Sequence, residues 1–213
     1  MAKETLDTEG VRQMMLAVAD AIIAAEPELT DADRNLGDGD HGLGMQRGLT
    51  AAKEKLEEGE FAGIDKVISA VGMAMMTSMG GASGAIFGTM FRNGGKALKG
   101  REDLDSEGLA LMLEAGAEGV MTRGGAKPGD KTMIDSLMPA AEKARECVGQ
   151  CLADAASAVA RAGEDGREAS KALVATMGRA KTLGEKSVGH PDAGACSVAI
   201  ILRTMADFVN RGD

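Results

Sequence analysis

Apolar side chains recur every three or four residues along nearly the whole chain, which is the spacing of one face of an α-helix. The first such stripe runs through Val11, Met14, Met15, Val18, Ile22 and Ala25. Further stripes begin at Met45, Ile64, Ile86, Leu109, Ile134, Ala172 and Val198. No segment alternates apolar and polar residues over the length of a strand. The pattern predicts an all-α fold of eight or nine amphipathic helices, joined by glycine-rich turns and by the acidic stretch RAGEDGRE at residues 161–168.

The composition agrees with this prediction. Aromatic residues make up 2% of the chain and Trp and Tyr are absent, whereas there are 15 methionines, so the core must consist of aliphatic and thioether side chains. With 213 residues, 44% of them hydrophobic, the chain can bury one sizeable core. No Pro/Gly/Ser-rich linker divides it. We therefore expect a single domain over residues 1–213.

The charge of the chain excludes several kinds of partner. The formal net charge is −9, and nucleic-acid binding requires an excess of Lys and Arg, so we expect no nucleic-acid partner. The N-terminal stretch MAKETLDTEG has no signal-peptide pattern, and no apolar run is long enough to cross a bilayer, so we expect no membrane partner and a cytoplasmic protein. Three cysteines are more consistent with reduced thiols than with a disulfide framework.

Glycine clusters in four segments between the predicted helices. They are GDGDHGLG at 37–44, MGGASGAIFGT at 79–89, TRGGAKPGDKTM at 122–133 and LGEKSVGHPDAG at 183–194. The second opens a helix, whose first backbone N–H groups are suited to phosphate. The two histidines, His41 and His190, each lie within two residues of an aspartate in such a segment. This pattern leaves their role open between phosphate contact and support of the loop.

Asp33, Asp38 and Asp40 concentrate three carboxylates around the first glycine cluster. Like charges this close repel each other unless a cation lies among them. An EF-hand frame beginning at Asp31 or Asp33 lacks its closing Glu, and no P-loop sequence occurs in the chain. A few carboxylates completed by phosphate oxygens and water are typical of Mg²⁺. The segment therefore predicts a magnesium site that holds phosphate.

Four motifs together resemble the nucleotide-binding L subunit of bacterial dihydroxyacetone kinases. They are DRNLGDGDHG, GGASGAIFGTMF, KPGDKTMIDSLMPA and LGEKSVGHPDAGACS, which occur in the order and rough spacing of that family and span nearly the whole chain. The resemblance implies a barrel-like bundle of eight antiparallel helices. It also implies that loops at one end of this bundle hold an adenine nucleotide, ADP or ATP, and two magnesium ions.

The resemblance also implies roles for individual residues. Asp33, Asp38 and Asp40 match the magnesium ligands, and Arg179 matches a nucleotide-contacting arginine to which we also assign the catalytic role. The remaining positions that match nucleotide contacts are His41, Gly42, Leu43, Gly44, Ala82, Ser83, Gly124, Met133, Asp192, Ala193 and Gly194. Gly44 departs from the family pattern, since asparagine is common there.

The function implied is that of a kinase subunit which acts only with a partner. The ketone, glycerone or a related small ketose, would be held on a separate K subunit, and this chain would deliver the phosphoryl group. In some members of the family ADP stays bound and is rephosphorylated by a phosphohistidine phosphocarrier protein, and in others ATP is consumed. The alternative is a regulatory nucleotide-binding module that signals phosphorylation state to a partner protein. The sequence leaves open whether the chain forms a homodimer.

Overall fold

The computed structural model describes residues 4–211, and this part of the chain is almost entirely helical. It contains nine α-helices and no strand, with one isolated bridge between Leu6 and Leu104. The α-helices are α1 (Thr8–Ala24), α2 (Glu26–Arg34), α3 (His41–Glu58), α4 (Ile64–Ser78), α5 (Gly81–Ala97), α6 (Ser106–Gly124), α7 (Ile134–Glu146), α8 (Leu152–Ala169) and α9 (Ala193–Asn210). Two 3₁₀ segments, Ser170–Ala172 and Arg179–Ser187, lie between α8 and α9.

Eight of these helices form a closed ring. Going around it, α1 packs on α3, α3 on α4, and so on through α8 to α9, which packs back on α1. The short α2 lies outside this order, against α3 and α9. A closed ring of eight long helices is the barrel-like, all-α bundle that the sequence predicts.

The direction of the chain alternates around the ring. Four connections, at residues 35–40, 79–80, 125–133 and 170–192, contribute residues to two adjoining cavities, and they are every second connection of the ring. This is expected when neighbouring helices are antiparallel, because alternate connections then emerge at the same end. The four glycine-rich motifs of the sequence contribute to these four connections.

The inside of the ring is a single apolar core. The stripes read from the sequence are the buried faces of their helices, as in α1, where Val11, Met14, Met15, Val18 and Ile22 have no exposed surface. Met, Leu, Ile, Val and Ala supply most of the core, and Phe87 is among its largest fully buried side chains. Burial of these stripes holds the ring together, since each helix is apolar along the side that faces its neighbours.

Two details of the predicted helix pattern are wrong. A helical stripe was expected from Ala172 through Thr176, but only the short 3₁₀ turn Ser170–Ala172 forms there, and the chain then runs on without regular structure. The acidic stretch at 161–168 was expected to be a connection, but it lies inside α8. Its buried glycines, Gly163 and Gly166, let α8 pack closely on α9 and α7, where a side chain would meet Leu202 and the carbonyl oxygen of Asp135.

One described helix, α9, is long and apolar enough to cross a membrane by length and composition alone. Two thirds of it, 67%, is buried inside the ring. Its apolar character is therefore explained by its place in the core.

Candidate functional site

The three aspartates that the sequence singled out come together at one end of the ring. Asp33 ends the last turn of α2, and Asp38 and Asp40 lie in the turn that leads to α3. Each offers a carboxylate oxygen, and these oxygens all lie within 4.8 Å of one another. Asp33 is half-buried, whereas Asp38 and Asp40 are exposed. Oxygens this close together on three carboxylates are a donor set for a hard divalent cation.

The turn that carries the carboxylates is held by α2 and by one glycine. The backbone N–H of Leu36 donates to the carbonyl oxygen of Asp33 (2.9 Å), and the N–H of His41 donates to its Oδ2 (3.2 Å). Gly39 adopts φ +76°, a left-handed conformation that strains any residue with a Cβ. The sequence GDGD therefore folds back so that Asp38 and Asp40 both face the end of α2.

Arg179 is the cation that contacts these carboxylates within the described residues. It begins the 3₁₀ segment Arg179–Ser187, and its guanidinium forms an ion pair with Asp38 and lies 3.8 Å from Oδ2 of Asp40. Its side chain is 67% exposed, so solvent screens this interaction strongly. An exposed guanidinium at the edge of a carboxylate cluster can also reach an anion bound there.

A cavity of about 290 Å³ opens beside the cluster. Its polar side carries the three aspartates, Arg179, and Ala82 and Ser83 from the first turn of α5. Five further lining residues are apolar, and we call them the apolar wall: Leu36, Ile86, Phe87, Met133 and Met177. The remaining lining residues are His41, Lys131, Thr132, Gly178, Ala180, Asp192, Ala193 and Gly194. A pocket with an apolar wall and a charged end suits a ligand that has both characters, such as a nucleotide.

A smaller cavity of about 200 Å³ adjoins the first. The two share Asp40, His41, Ala82, Ser83 and Arg179, which we call the shared wall. The smaller cavity adds Gly44, Arg47, Met79, Gly80 and Gly81. Gly80 and Gly81 have φ values of +74° and +63°, so the chain turns sharply where α5 begins.

Lys131 joins two of the loops that surround the larger cavity. Its side chain is buried, and its Nζ donates to the carbonyl oxygens of Ser170 (2.5 Å) and His190 (2.7 Å). Burial lowers the pKa of this ammonium group, while nearby Asp192 and Asp135 act in the opposite direction. Lys131 thus fixes the loop at 125–133 against both ends of the connection between α8 and α9.

Two further aspartates shape the loop at 125–133. Asp135 is buried and accepts the backbone N–H groups of Gly129 (2.6 Å) and Thr132 (2.7 Å). Asp130 accepts the hydroxyl of Thr176 (2.6 Å) and the N–H of Lys127 (2.9 Å), and these bonds lower its pKa. Both carboxylates therefore serve to hold this loop in its conformation.

His41 and Asp192 close the side of the cavity next to α9. Nε2 of His41 lies 2.8 Å from Oγ of Ser197 on α9, and burial lowers the pKa of this histidine, although Asp33 opposes that shift. Asp192 caps α9 by accepting the N–H of Ala195 (2.8 Å), and burial raises its pKa to about 6. The ring of His41 therefore links α3 to α9, whereas the ring of His190 lines neither cavity.

Most of the site residues expected from the sequence lie around the cavities. The larger cavity is lined by Asp33, Asp38, Asp40, His41, Ala82, Ser83, Met133, Arg179, Asp192, Ala193 and Gly194, and Gly44 lines the smaller one. Gly42, Leu43 and Gly124 line neither cavity. A Cβ on Gly42 would lie 2.4 Å from the carbonyl oxygen of Glu26, so this glycine lets α3 approach α2. Gly124 lies behind Ile86, and Leu43 is exposed at 48%.

Several residues of the cavities were not among those expected. Lys131 and Thr132 belong to the quoted motif KPGDKTM, but a lysine in a glycine-rich loop gives no sign in the sequence that it is buried. Met177 lies directly after the stripe at 172–176 that was interpreted as helix, and no motif marks it. Arg47 could have been predicted from helical spacing, because residues 40, 44 and 47 fall on one face of a helix.

The ring of eight helices is a helical barrel. The carboxylate cluster at one end of this barrel is a polar site that suits a cation. Residues 35–207 match the model of the DAK2 domain. Over 191 residues the chain is 41% identical to "PEP-dependent dihydroxyacetone kinase, ADP-binding subunit DhaL" of Escherichia coli (strain K12), an alignment that covers 87% of this chain and 90% of that protein. The chain belongs to the DAK2 domain family, within the group of dihydroxyacetone kinase L subunits, as the sequence motifs predict.

Other relatives carry the same domain as part of a longer protein. The D-erythrulose kinase of Mycolicibacterium smegmatis is 39% identical over 206 residues, covering 91% of this chain but 34% of that protein. The crystal structure of the dihydroxyacetone kinase of C. freundii in its native form has a TM-score of 0.73 at 22% identity, and the match covers 97% of this chain and 36% of that chain. This structural likeness shows the fold.

Proposed function

We propose that the chain is the nucleotide-binding, phosphoryl-transferring subunit of a dihydroxyacetone kinase. The observation that carries this proposal is the convergence of three carboxylates, an arginine and a helix N-terminus on one cavity that also has an apolar wall. The names of the relatives from Escherichia coli and Listeria innocua, each an ADP-binding subunit of a PEP-dependent dihydroxyacetone kinase, support it. We propose further that residues 1–213 form a single nucleotide-binding domain located in the cytoplasm.

Magnesium fits the carboxylate cluster. Asp33, Asp38 and Asp40 supply oxygen donors only, two of them exposed enough to leave room for phosphate oxygens and water, which is the donor set that Mg²⁺ prefers. We propose that these aspartates hold two ions. When bound, Mg²⁺ neutralises negative charge on the nucleotide phosphates.

The lining of the cavity suits one orientation of a nucleotide. The apolar wall formed by Ile86, Phe87 and Met133 suits a base, and the shared wall suits phosphates, since Ala82 and Ser83 present first-turn N–H groups of α5. His41, Gly44, Asp192, Ala193 and Gly194 complete the surroundings. Gly42 and Leu43 can contribute through the backbone N–H groups of the first turn of α3, and Gly124 supports Ile86 from behind.

Arg179 is the residue to which we assign a catalytic role. Its guanidinium already lies at the carboxylates, where the phosphates would be held, and an arginine can bind phosphate oxygens through two parallel hydrogen bonds. Charge that develops on a transferring phosphoryl group is stabilised by such a positioned cation. The protein's contribution to the reaction is then positioning and electrostatic stabilisation.

The ketone is proposed to be held by a separate K subunit. Within residues 4–211, the one histidine that lines either cavity, His41, is bonded to Ser197, so the site offers no histidine free to grip a carbonyl group. Phosphoryl transfer would then occur only when the K subunit closes on this end of the ring. A phosphohistidine phosphocarrier that rephosphorylates bound ADP is the further partner proposed for the case in which ATP is not consumed.

The test is a reconstitution with purified components. The chain alone, with Mg²⁺, ATP and dihydroxyacetone, is expected to bind nucleotide in a calorimetric titration and to produce no dihydroxyacetone phosphate. Addition of a K subunit should restore turnover, and Arg179→Lys should lower the restored rate by about tenfold or more while nucleotide binding persists. Robust turnover by the chain alone would overturn the division of labour, and absence of nucleotide binding would overturn the function. Mass spectrometry of the purified chain for retained ADP separates in-place rephosphorylation from consumption of ATP.

A further inference from the structure

The smaller cavity contains an arginine that the proposed function has not used. Arg47 lies on α3, seven residues after Asp40 and three after Gly44, so that these three positions share one face of the helix. Gly44 has no side chain, so this position leaves the space between Asp40 and Arg47 open. The guanidinium of Arg47 and the shared wall border the same space of about 200 Å³.

The position of this guanidinium is fixed by a backbone contact. Its Nη2 donates to the carbonyl oxygen of Met79 (3.1 Å), directly after α4 and before the turn that opens α5. A guanidinium carries five N–H donors, so most of its donors stay available for a second partner. Arg47 is thus held by one hydrogen bond beside the cavity that it lines.

The two cavities divide the length of a nucleotide. The base is placed at the apolar wall of the larger cavity, and the phosphates lie at the shared wall. On the proposed placement, a diphosphate would end at the shared wall, and one more phosphoryl group would extend into the smaller cavity that this wall also lines. That cavity has two arginines, Arg47 and Arg179, against one carboxylate, Asp40, which favours a doubly charged anion.

We propose that Arg47 binds the terminal phosphoryl group of a nucleoside triphosphate, on the side of the shared wall away from the nucleoside. This inference rests on the proposed function and adds to it a residue that separates triphosphate from diphosphate. In this arrangement the last phosphate of ADP lies at the shared wall and the third phosphate of a triphosphate lies beside Arg47, so we expect Arg47 to contribute far less to the binding of ADP.

The experiment compares two nucleotides on the same variants by isothermal titration calorimetry with Mg²⁺. Arg47→Met should weaken binding of AMP-PNP by about tenfold or more, as expected for loss of a charged hydrogen bond, and should change binding of ADP by less than about twofold. Arg47→Lys keeps the charge but loses the planar fork, so it should show a smaller loss, again for AMP-PNP only. The matched control is Arg203→Met, on the exposed side of α9, which should change neither affinity.

The outcomes separate this inference from the proposed function. If Arg47→Met and Arg47→Lys both weaken ADP and AMP-PNP equally, Arg47 acts only through Met79 as a structural residue, and the inference is wrong. It is equally wrong if neither nucleotide is affected. If the parent chain binds neither nucleotide, the proposed function itself fails. A thermal melt of each variant shows that it is folded, and Arg47→Lys keeps the comparison decisive if Arg47→Met does not fold.

Discussion

Two loops at the same end of the ring are both rich in glycine and aspartate, yet they use their carboxylates in opposite ways. In the loop at 125–133, Asp130 and the adjacent Asp135 accept hydrogen bonds from the loop's own backbone and from Thr176. In the turn at 35–40, Asp38 and Asp40 are exposed and are contacted by the end of one exposed arginine side chain. The carboxylates of the first loop hold its backbone in place, whereas those of the second line the cavity.

The difference teaches how to distinguish a structural carboxylate from a ligand-binding one. A carboxylate that accepts two backbone N–H bonds has its charge stabilised locally and gains little from a cation. Carboxylates that crowd together with few donors repel each other, and a divalent cation relieves that repulsion. Substitutions in the two loops should therefore separate intrinsic stability from stability gained on ligand binding.

The largest expected effect is on the ligand-induced shift in melting temperature. A ligand bound only by the folded state, at about 100 times its Kd, adds roughly 2.7 kcal/mol of stability. For a domain of this size each kcal/mol raises Tm by roughly 2–4 °C. We expect Mg²⁺ with ADP to raise the Tm of the parent chain by on the order of 5–10 °C. The double variant Asp38→Asn/Asp40→Asn should show no such rise.

The matched control for this melt is Asp31→Asn. Asp31 lies on α2 near the cluster, but its carboxylate pairs with Arg34 and is not one of the three that converge. It should keep the full shift, and excess EDTA should remove the shift from parent and control alike. An equal shift in the parent and the double variant would contradict the assignment of these carboxylates to metal.

The next largest effect is on the stability of the chain without ligand, and it comes from the loop at 125–133. Asp135→Asn leaves one amide oxygen where two carboxylate oxygens accept the N–H groups of Gly129 and Thr132, so one part-buried N–H loses its acceptor. Such a loss costs about 2 kcal/mol, or a fall in Tm of roughly 4–8 °C. The fall should be seen with and without Mg²⁺ and ADP, in contrast to the double variant. A variant that melts like the parent would show that these bonds do not hold the loop.

The smallest expected effect is on stability, and it comes from a glycine in the first turn of α3. Gly44→Ala should raise stability by up to about 1 kcal/mol, because alanine favours a helix more than glycine does. Its Cβ would lie 3.6 Å from Cε of Met79, an ordinary contact. Gly42→Ala is the matched comparison and should lower Tm, since its Cβ would overlap Glu26 and Thr30. Equal responses of the two variants would mean that α2 and α3 do not pack as described.

The sequence predicted what depends on periodicity and on local clusters of charge. The apolar stripes gave the helices because each helix buries one face, and Asp33, Asp38 and Asp40 lie within eight residues of one another. The stripe at 172–176 failed because it is too short to be distinguished from an irregular segment by spacing alone. The role of Lys131 depends on Ser170 and His190, which lie far along the chain. No local pattern reveals such a contact.

The alternation of connections around the ring assigns different tasks to its two ends. All four loops that build the cavities emerge at one end, while the connections at 59–63, 98–105 and 147–151 emerge at the other. The far end is fastened by backbone bonds between Leu6 and Leu104, away from any residue of the site. A fluorophore, a fusion partner or a surface tether attached at those far connections would therefore leave the two cavities, at the opposite end of the ring, open to ligands and partner proteins.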